Sequence, residues 1–425
     1  MNANAPVQTP RWQKKAALTG YAAAVALLVA WYHYKTDLAL DKPLWMADLN
    51  IYLDAAGRML HDAAPYAIAP QGWSYLYPPA TLWLFAPLTK LPAHGGAFLF
   101  TVVNVAALGY VTWAVLRRVV SWPPRRVLIV AVTAVPVLSW FGPVTENLLL
   151  GQVDLIVMAL VIADFAHLRP TRAHGALIAL AAAIKLQSGL FVVFLLLGRR
   201  VRPAVTATVT FLVVNLLSFA AQPGLSRTYW GTVFPHISDR MGPPQAIYSG
   251  SFLSALARDT HDLTVARVIW TPLCAAFLIA VALVMHRAAR YDDELLAVAV
   301  CGLAGVAITS LAWAHYWVWM VPLAVYLLVR AVQRRSVPLG AAVLALVSVF
   351  HARAYRFTDI VSLDLGRQLE GMNLAQQLEL SAYAVATLAV IPVCLYYLRL
   401  VRTVGTAEPA VRTEGKALAL PRTGD

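Results

Sequence analysis

Apolar runs, each about the length a helix needs to cross a bilayer, follow one another through this chain from residue 16 to residue 400. No soluble core absorbs so much apolar sequence. Sixty per cent of residues are hydrophobic and 13% are charged, against roughly 25% charged in a soluble domain. The runs are continuous rather than alternating, which argues against a lipid-facing β-barrel. The sequence therefore predicts an all-α polytopic membrane protein. Its 25 prolines and 23 glycines suit broken helices and structured loops.

Candidate spans are 16–34, 95–118, 127–141, 148–168, 203–221, 264–286, 294–311, 313–331, 337–352 and 378–400. Segment 173–198 is apolar except for Lys185-Leu186-Gln187-Ser188-Gly189 at its middle. A single span with a central lysine is expensive. Two half-helices meeting at a Gln187–Gly189 break return the chain to its starting side and raise the count to about twelve crossings. Segment 78–91 is too short to cross and is expected to lie as an interfacial or re-entrant piece, with Trp73, Tyr75, Tyr77 and Trp83 in an aromatic belt.

The net charge of +13 reports basic loops on one side of a membrane rather than nucleic-acid binding. With the N-terminus inside, 22 of the 34 lysines and arginines fall inside in short connections and 11 outside in long loops, with Lys185 between. Both termini are then cytoplasmic, in a plasma membrane. Residues 1–15 form a cytoplasmic tail, 16–402 the transmembrane domain and 403–425 a second, polar tail. Arg11, Lys14 and Lys15 precede an apolar stretch that reads as a retained anchor. The long connections 35–94, 222–263 and 353–377 all fall on the outer face, where chemistry is expected. No nucleotide-binding motif is present, so neither a nucleotide nor nucleic acid is expected as a partner. Cys274, Cys301 and Cys394 read as small buried hydrophobes. No pair of residues has metal-ligand spacing, and no cofactor is expected.

Polar residues in apolar surroundings mark the candidate chemistry. In the first outer loop, Asp48, Tyr52 and Ala55 share one face of a surface helix, and Leu49, Leu53, Ala56 and Leu60 form its apolar stripe. Asp48 is either a helix N-cap or a general base at the lipid–water boundary. Gln152 and Asp154 stand one turn into an apolar helix, as at a polar cavity. His315 and Tyr316 sit between two spans among Trp313, Trp317 and Trp319, either as an interfacial belt or as site residues. Lys185 needs an anionic partner: a phosphate, or internally Asp154 or Glu146. His236, Arg240 and Tyr77 add groups on the same face.

Asp48-Leu49-Asn50-Ile51-Tyr52, Pro65-Tyr66, Tyr77-Pro78-Pro79, Gly151-Gln152-Val153-Asp154, Ala183-Ile184-Lys185-Leu186 and Ser310 through His315 occur in an order that resembles the polyprenol-phosphate-mannose-dependent α-1,2-mannosyltransferase family. The resemblance runs from about residue 16 to 400. It departs where members often carry Lys-x-x-Pro and a paired His-His; here Lys185 precedes Leu186-Gln187-Ser188, and His315 precedes Tyr316. The resemblance implies a membrane glycosyltransferase fold of the C class with interfacial helices and a periplasmic active site. It further implies inverting transfer of mannose from polyprenyl-phosphate-mannose to a mannosylated phosphatidylinositol, tetramannoside to pentamannoside. Asp48 is then the base, and His315, Lys185, Arg240 and Tyr316 attend the leaving phosphate. Tyr52, Tyr77, Gln152, Asp154 and His236 would contact substrate. An arabinofuranosyl-transferring relative, or a lipid transporter without chemistry, are the alternatives.

Overall fold

A computed structural model describes residues 11–39, 45–67, 74–169, 171–291, 293–354 and 374–405. Most of the expected loop 353–377, with Arg356 and Arg367, lies outside these residues, as does Trp73. Among the described residues every regular element is helical. Helix α1 spans Arg11–Ala39, α4 Ala93–Val119, α5 Pro124–Ser139, α10 Val201–Ala221, α14 Leu263–Ala289, α17 Val337–Ala354 and α18 Leu374–Gly405. These match the expected spans within a few residues, because proline and arginine mark their ends. Pro92 precedes α4, Arg117 and Arg118 close it, and Pro123-Pro124 opens α5.

Among the described residues, five segments are long and apolar enough to cross a membrane, or six with one bent pair. The expectation of about twelve crossings is not reached by that measure. The reason lies in the middle of the chain, where helices are short and interrupted. Helix α5 bends by 79° into α6 (Gly142–Leu150), with Pro143 in the first turn of the new helix. A turn at Gly151 then leads to α7 (Asp154–Ala163), which widens into a π turn over Asp164–Leu168. The expected span 148–168 thus starts inside one helix and continues in another. Likewise 294–311 and 313–331 are realised as α15 (Glu294–Ala307), a 3-10 turn over Ala314–Trp319 and α16 (Met320–Gln333). Residues 310–313 leave helical geometry, and Ala312 exchanges hydrogen bonds with Ser249 and Gly250 instead.

The broken segment is present. Helix α8 (Ala176–Ile184) ends at Lys185, whose backbone is extended, and a 3-10 turn over Leu186–Gly189 leads to α9 (Leu190–Leu197). The break falls at Lys185 itself, one turn before the expected position. Arg169, ahead of α8, and Arg200, after α9, both pair with Glu294, so the chain returns to the end from which it started. Segment 78–91 forms the seven-residue α3 (Pro79–Phe85) and a 3-10 turn over Ala86–Lys90. Seven helical residues reach about 10 Å, a third of a bilayer core.

Burial separates lipid-facing from core helices. In α10, 17% of the most apolar window is buried and in α14 28%, against 67% in the segment containing α16. Val205, Val209, Leu212 and Leu216 of α10 are exposed on one side, which only an apolar solvent tolerates. Helix α15 is buried nearly all round. Gly302 admits the ring of Trp319 so closely that a Cβ would lie 2.1 Å from it. Cys274, Cys301 and Cys394 are buried free thiols.

Candidate functional site

The site is built at the end of the bundle where α2 (Ala47–Leu60) docks on the turn between α6 and α7. Met46, at φ 53°, precedes α2 and donates its N–H to the Leu149 carbonyl at 2.7 Å. Gly151 closes α6 at φ 69°, a left-handed conformation that favours glycine. A Cβ on Gly151 would stand 2.7 Å from Leu49 Cβ and 2.9 Å from Met46 Sδ. Glycine therefore sets how closely the Asp48 helix approaches. Gly151→Ala is expected to cost about 1–3 kcal/mol through strain and to lower turnover by shifting Asp48. Gly189→Ala, with helical φ −59° and nothing within 4 Å of a new Cβ, is the control. Equal thermal melting of the two variants would contradict this packing.

Asp48 caps no helix: the N-cap of α2 is Met46 and no side chain caps it. Its Oδ2 instead accepts a 2.8 Å hydrogen bond from Gln152 Nε2. Gln152 Oε1 in turn accepts from Tyr52 at 2.9 Å and Tyr77 at 3.2 Å. The two hydroxyls fix the amide so that its NH₂ faces the carboxylate. Asn147 holds the Gln152 carbonyl at 3.1 Å and reaches Asn104 Oδ1 at 3.2 Å. Burial lifts the Asp48 carboxyl from 3.8 to about 6, partly opposed by the Gln152 hydrogen bond and the Lys185 charge. A base with that pKa is ionised at neutral pH yet close enough to it to take a proton. Transfer should accordingly fall on acidification through pH 6. Gln152→Leu removes a bond that stabilises the carboxylate, so this acidic limb should move to higher pH. A profile that stays in place in the Gln152 variant would detach Asp48 from the limb.

The second half of the site is a line of buried polar and charged side chains. Lys185 Nζ donates to Asp154 Oδ1 at 2.6 Å and lies 3.5 Å from the centre of the Tyr316 ring. His315 Nε2 is 3.8 Å from Asp154 Oδ2, and its Nδ1 is 3.0 Å from Glu146 Oε1. All four are buried. Of the two internal partners open to Lys185 in the sequence, the fold selects Asp154. Thr81 caps the broken end of α8 by donating to the Ala183 carbonyl at 3.0 Å, which ties the first loop to the Lys185 break.

Asp48, Tyr52, Tyr77, Gln152, Asp154, Lys185, His315 and Tyr316 thus converge, although they come from five separate stretches of chain. Arg240 stands at the rim, where its Nη1 donates to the Tyr66 carbonyl at 2.9 Å and the Tyr66 hydroxyl donates to the Tyr77 carbonyl. His236 is exposed and bonds within its own turn, to the Thr232 carbonyl, apart from the cluster.

Two expectations change. Helix α2 buries Leu49, Tyr52, Ala55, Ala56 and Met59 rather than a Leu49–Leu53–Ala56–Leu60 stripe. Leu60 is exposed, because the Asp48–Tyr52 face turns inward to the site and leaves the end of the stripe outside. Tyr75 and Tyr77 are not in an outer belt. Tyr75 is buried against Tyr52 and Tyr66, and only Trp83 of the described group is exposed. The sequence reading missed Asn104 and Asn147 as supports. Glu146-Asn147 within an apolar run was the available signal.

A family model for glycosyltransferase family 87 matches residues 75–310. The polyprenol-phosphate-mannose-dependent α-(1-2)-phosphatidylinositol mannoside mannosyltransferase of Mycobacterium tuberculosis is 30% identical over 337 residues, covering 76% of this chain and 78% of its own. The protein of the same description from Mycolicibacterium smegmatis is 30% identical over 351 residues, covering 74% and 79%. A phosphatidylinositol pentamannoside mannosyltransferase of M. tuberculosis is 24% identical, covering 75% and 73%. No solved structure matches.

Proposed function

The chain belongs to glycosyltransferase family 87, and we propose that it transfers mannose from polyprenyl-phosphate-mannose to a mannosylated phosphatidylinositol. The observation that carries this reading is Asp48, a carboxyl lifted to about 6 and held by Gln152, beside the buried Lys185–Asp154–His315 line. An inverting transfer needs a base on one face of the sugar and cations for the leaving group on the other. The acceptor hydroxyl attacks the anomeric carbon as its proton passes to Asp48. The anomeric C–O bond to phosphate breaks with its electron pair, leaving polyprenyl phosphate. Lys185 and His315 meet the charge that develops there, with Arg240 at the rim and Tyr316 fixing the ammonium. Tyr52, Tyr77, Gln152 and Asp154 shape the pocket, and His236 remains the candidate contact furthest out.

The linkage we propose is α-1,2, and the acceptor is the tetramannoside. The distribution of basic residues supports cytoplasmic termini and a periplasmic site, within one membrane domain over 16–402. About twelve crossings follow if α1, α7, α15 and α17, the bent pair and the two halves flanking Lys185 also enter the membrane. The test is mass spectrometry on reconstituted protein given polyprenyl-phosphate-mannose with either the tetramannoside or the pentamannoside, followed by linkage analysis. A tetramannoside made heavier by one hexose in α-1,2 linkage is expected. Folded protein that extends neither acceptor would overturn the reading.

A further inference from the structure

At the end of the bundle opposite Asp48, a cavity of about 430 Å³ opens between the start of α8 and the start of α10. It is lined by Arg169, Arg172, His174, Arg199, Arg200 and Arg202. Basic residues on this side are what orientation alone demands, so their number decides nothing. Their arrangement does. Glu294 takes up Arg169 and Arg200. Among the described residues no carboxylate pairs with Arg172, Arg199 or Arg202. Asp164, beside His174, has its carboxylate spent on the backbone N–H groups of Gly175, Leu177 and Ile178.

His174 is the independent sign of a ligand. It is 5% exposed, its Nδ1 lies 2.5 Å from Asp164 Oδ1, and its other ring nitrogen, Nε2, is buried with no hydrogen-bond partner. Asp164 thus fixes the ring of a residue lining the cavity. A buried polar atom without a partner is costly. With Nδ1–H donated to Asp164, Nε2 of the neutral ring is an acceptor. The P–OH of a monoanionic phosphate monoester donates to it and removes that cost, while the other phosphate oxygens accept from the guanidinium groups in bidentate geometry.

We propose that this cavity binds a phosphate group, carried by the headgroup of an anionic lipid in the adjoining leaflet. The elements around it lead to the reaction site. Ten residues of α7 and five of the π turn separate Asp154 from the cavity rim, about 20 Å at helical rise. Helix α8 starts at the cavity and ends one residue before Lys185. A ligand gripped there braces the pair of helices that carries the Lys185–Asp154 bond.

The test is native mass spectrometry and thermal melting of the purified full chain with phosphatidic acid, with phosphatidylcholine, and with inorganic phosphate. Three proteins are compared: wild type, Arg172→Gln/Arg199→Gln/Arg202→Gln, and a charge-matched control, Arg117→Gln/Arg125→Gln/Arg126→Gln. Phosphatidic acid should bind and stabilise wild type and the control, and the cavity variant should lose about tenfold or more in affinity. Arg172→Gln alone, at an exposed turn, should lose about threefold, which keeps the test open if the triple variant folds poorly. Protection by inorganic phosphate equal to that by the lipid would support the phosphate site and assign it to a soluble ligand. Equal losses in cavity variant and control would reduce the effect to general surface charge and overturn the proposal, as would no phosphate-dependent binding.

Discussion

Asp48→Asn should abolish most of the mannosyl transfer while leaving the protein folded. Losing a positioned general base lowers turnover by about 10²–10⁴-fold. Asparagine has the shape of aspartate, and its carbonyl oxygen still accepts the 2.8 Å bond from Gln152, so α2 keeps its seat on the Gly151 turn. The loss should therefore appear in kcat, with little change in the KM for either lipid. Melting should stay within a few degrees of wild type. Any shift should be upward, since the native Asp48 carboxyl is lifted to about 6: removing a charge that burial disfavours relieves the fold at neutral pH. Steady-state rates on reconstituted protein, alongside its melting curve, make the check. Turnover within about threefold of wild type would show that another group takes the proton.

This assignment rests on a residue visible in the sequence, whereas its environment was not. Asp48, Gln152, Asp154, Lys185 and His315 stand out because each interrupts an apolar run, and polar side chains are rare there without a purpose. The long helices were legible for the complementary reason. Apolar length, proline and arginine mark their ends. The short elements were not, because α6 carries Glu146 and Asn147 and reads as a loop until its bend against α5 brings them inside. Pairing was hidden as well. Lys185 and Asp154 are 31 residues apart, and only the packing of α7 on α8 decides between Asp154 and Glu146. Aromatic residues are ambiguous for a related reason. A tyrosine at a membrane boundary and one in a pocket wall have the same local sequence, so the sequence alone puts Tyr75 and Tyr77 in a belt, whereas in the fold Tyr75 packs on Tyr52 and Tyr77 bonds Gln152.

The Lys185–Asp154 bond has a structural and a chemical explanation, and a double substitution separates them. Lys185→Met leaves Asp154 buried without its 2.6 Å partner, and breaking such a pair costs about 3–5 kcal/mol. The single variant should melt well below wild type and transfer nothing measurable. Adding Asp154→Asn removes the orphaned charge, and replacing both members of a buried pair is close to neutral for stability. The double variant should therefore regain most of the lost melting temperature. Its activity should not return. If Lys185 meets the charge growing on the departing phosphate, its loss removes a preorganised donor of the kind that contributes about 10²–10³-fold, whatever the state of Asp154. Recovery of stability together with recovery of turnover would make the lysine a brace for the helix break and nothing more. Recovery of stability alone assigns the ammonium to the leaving group, with Asp154 and the Tyr316 ring as the groups that aim it.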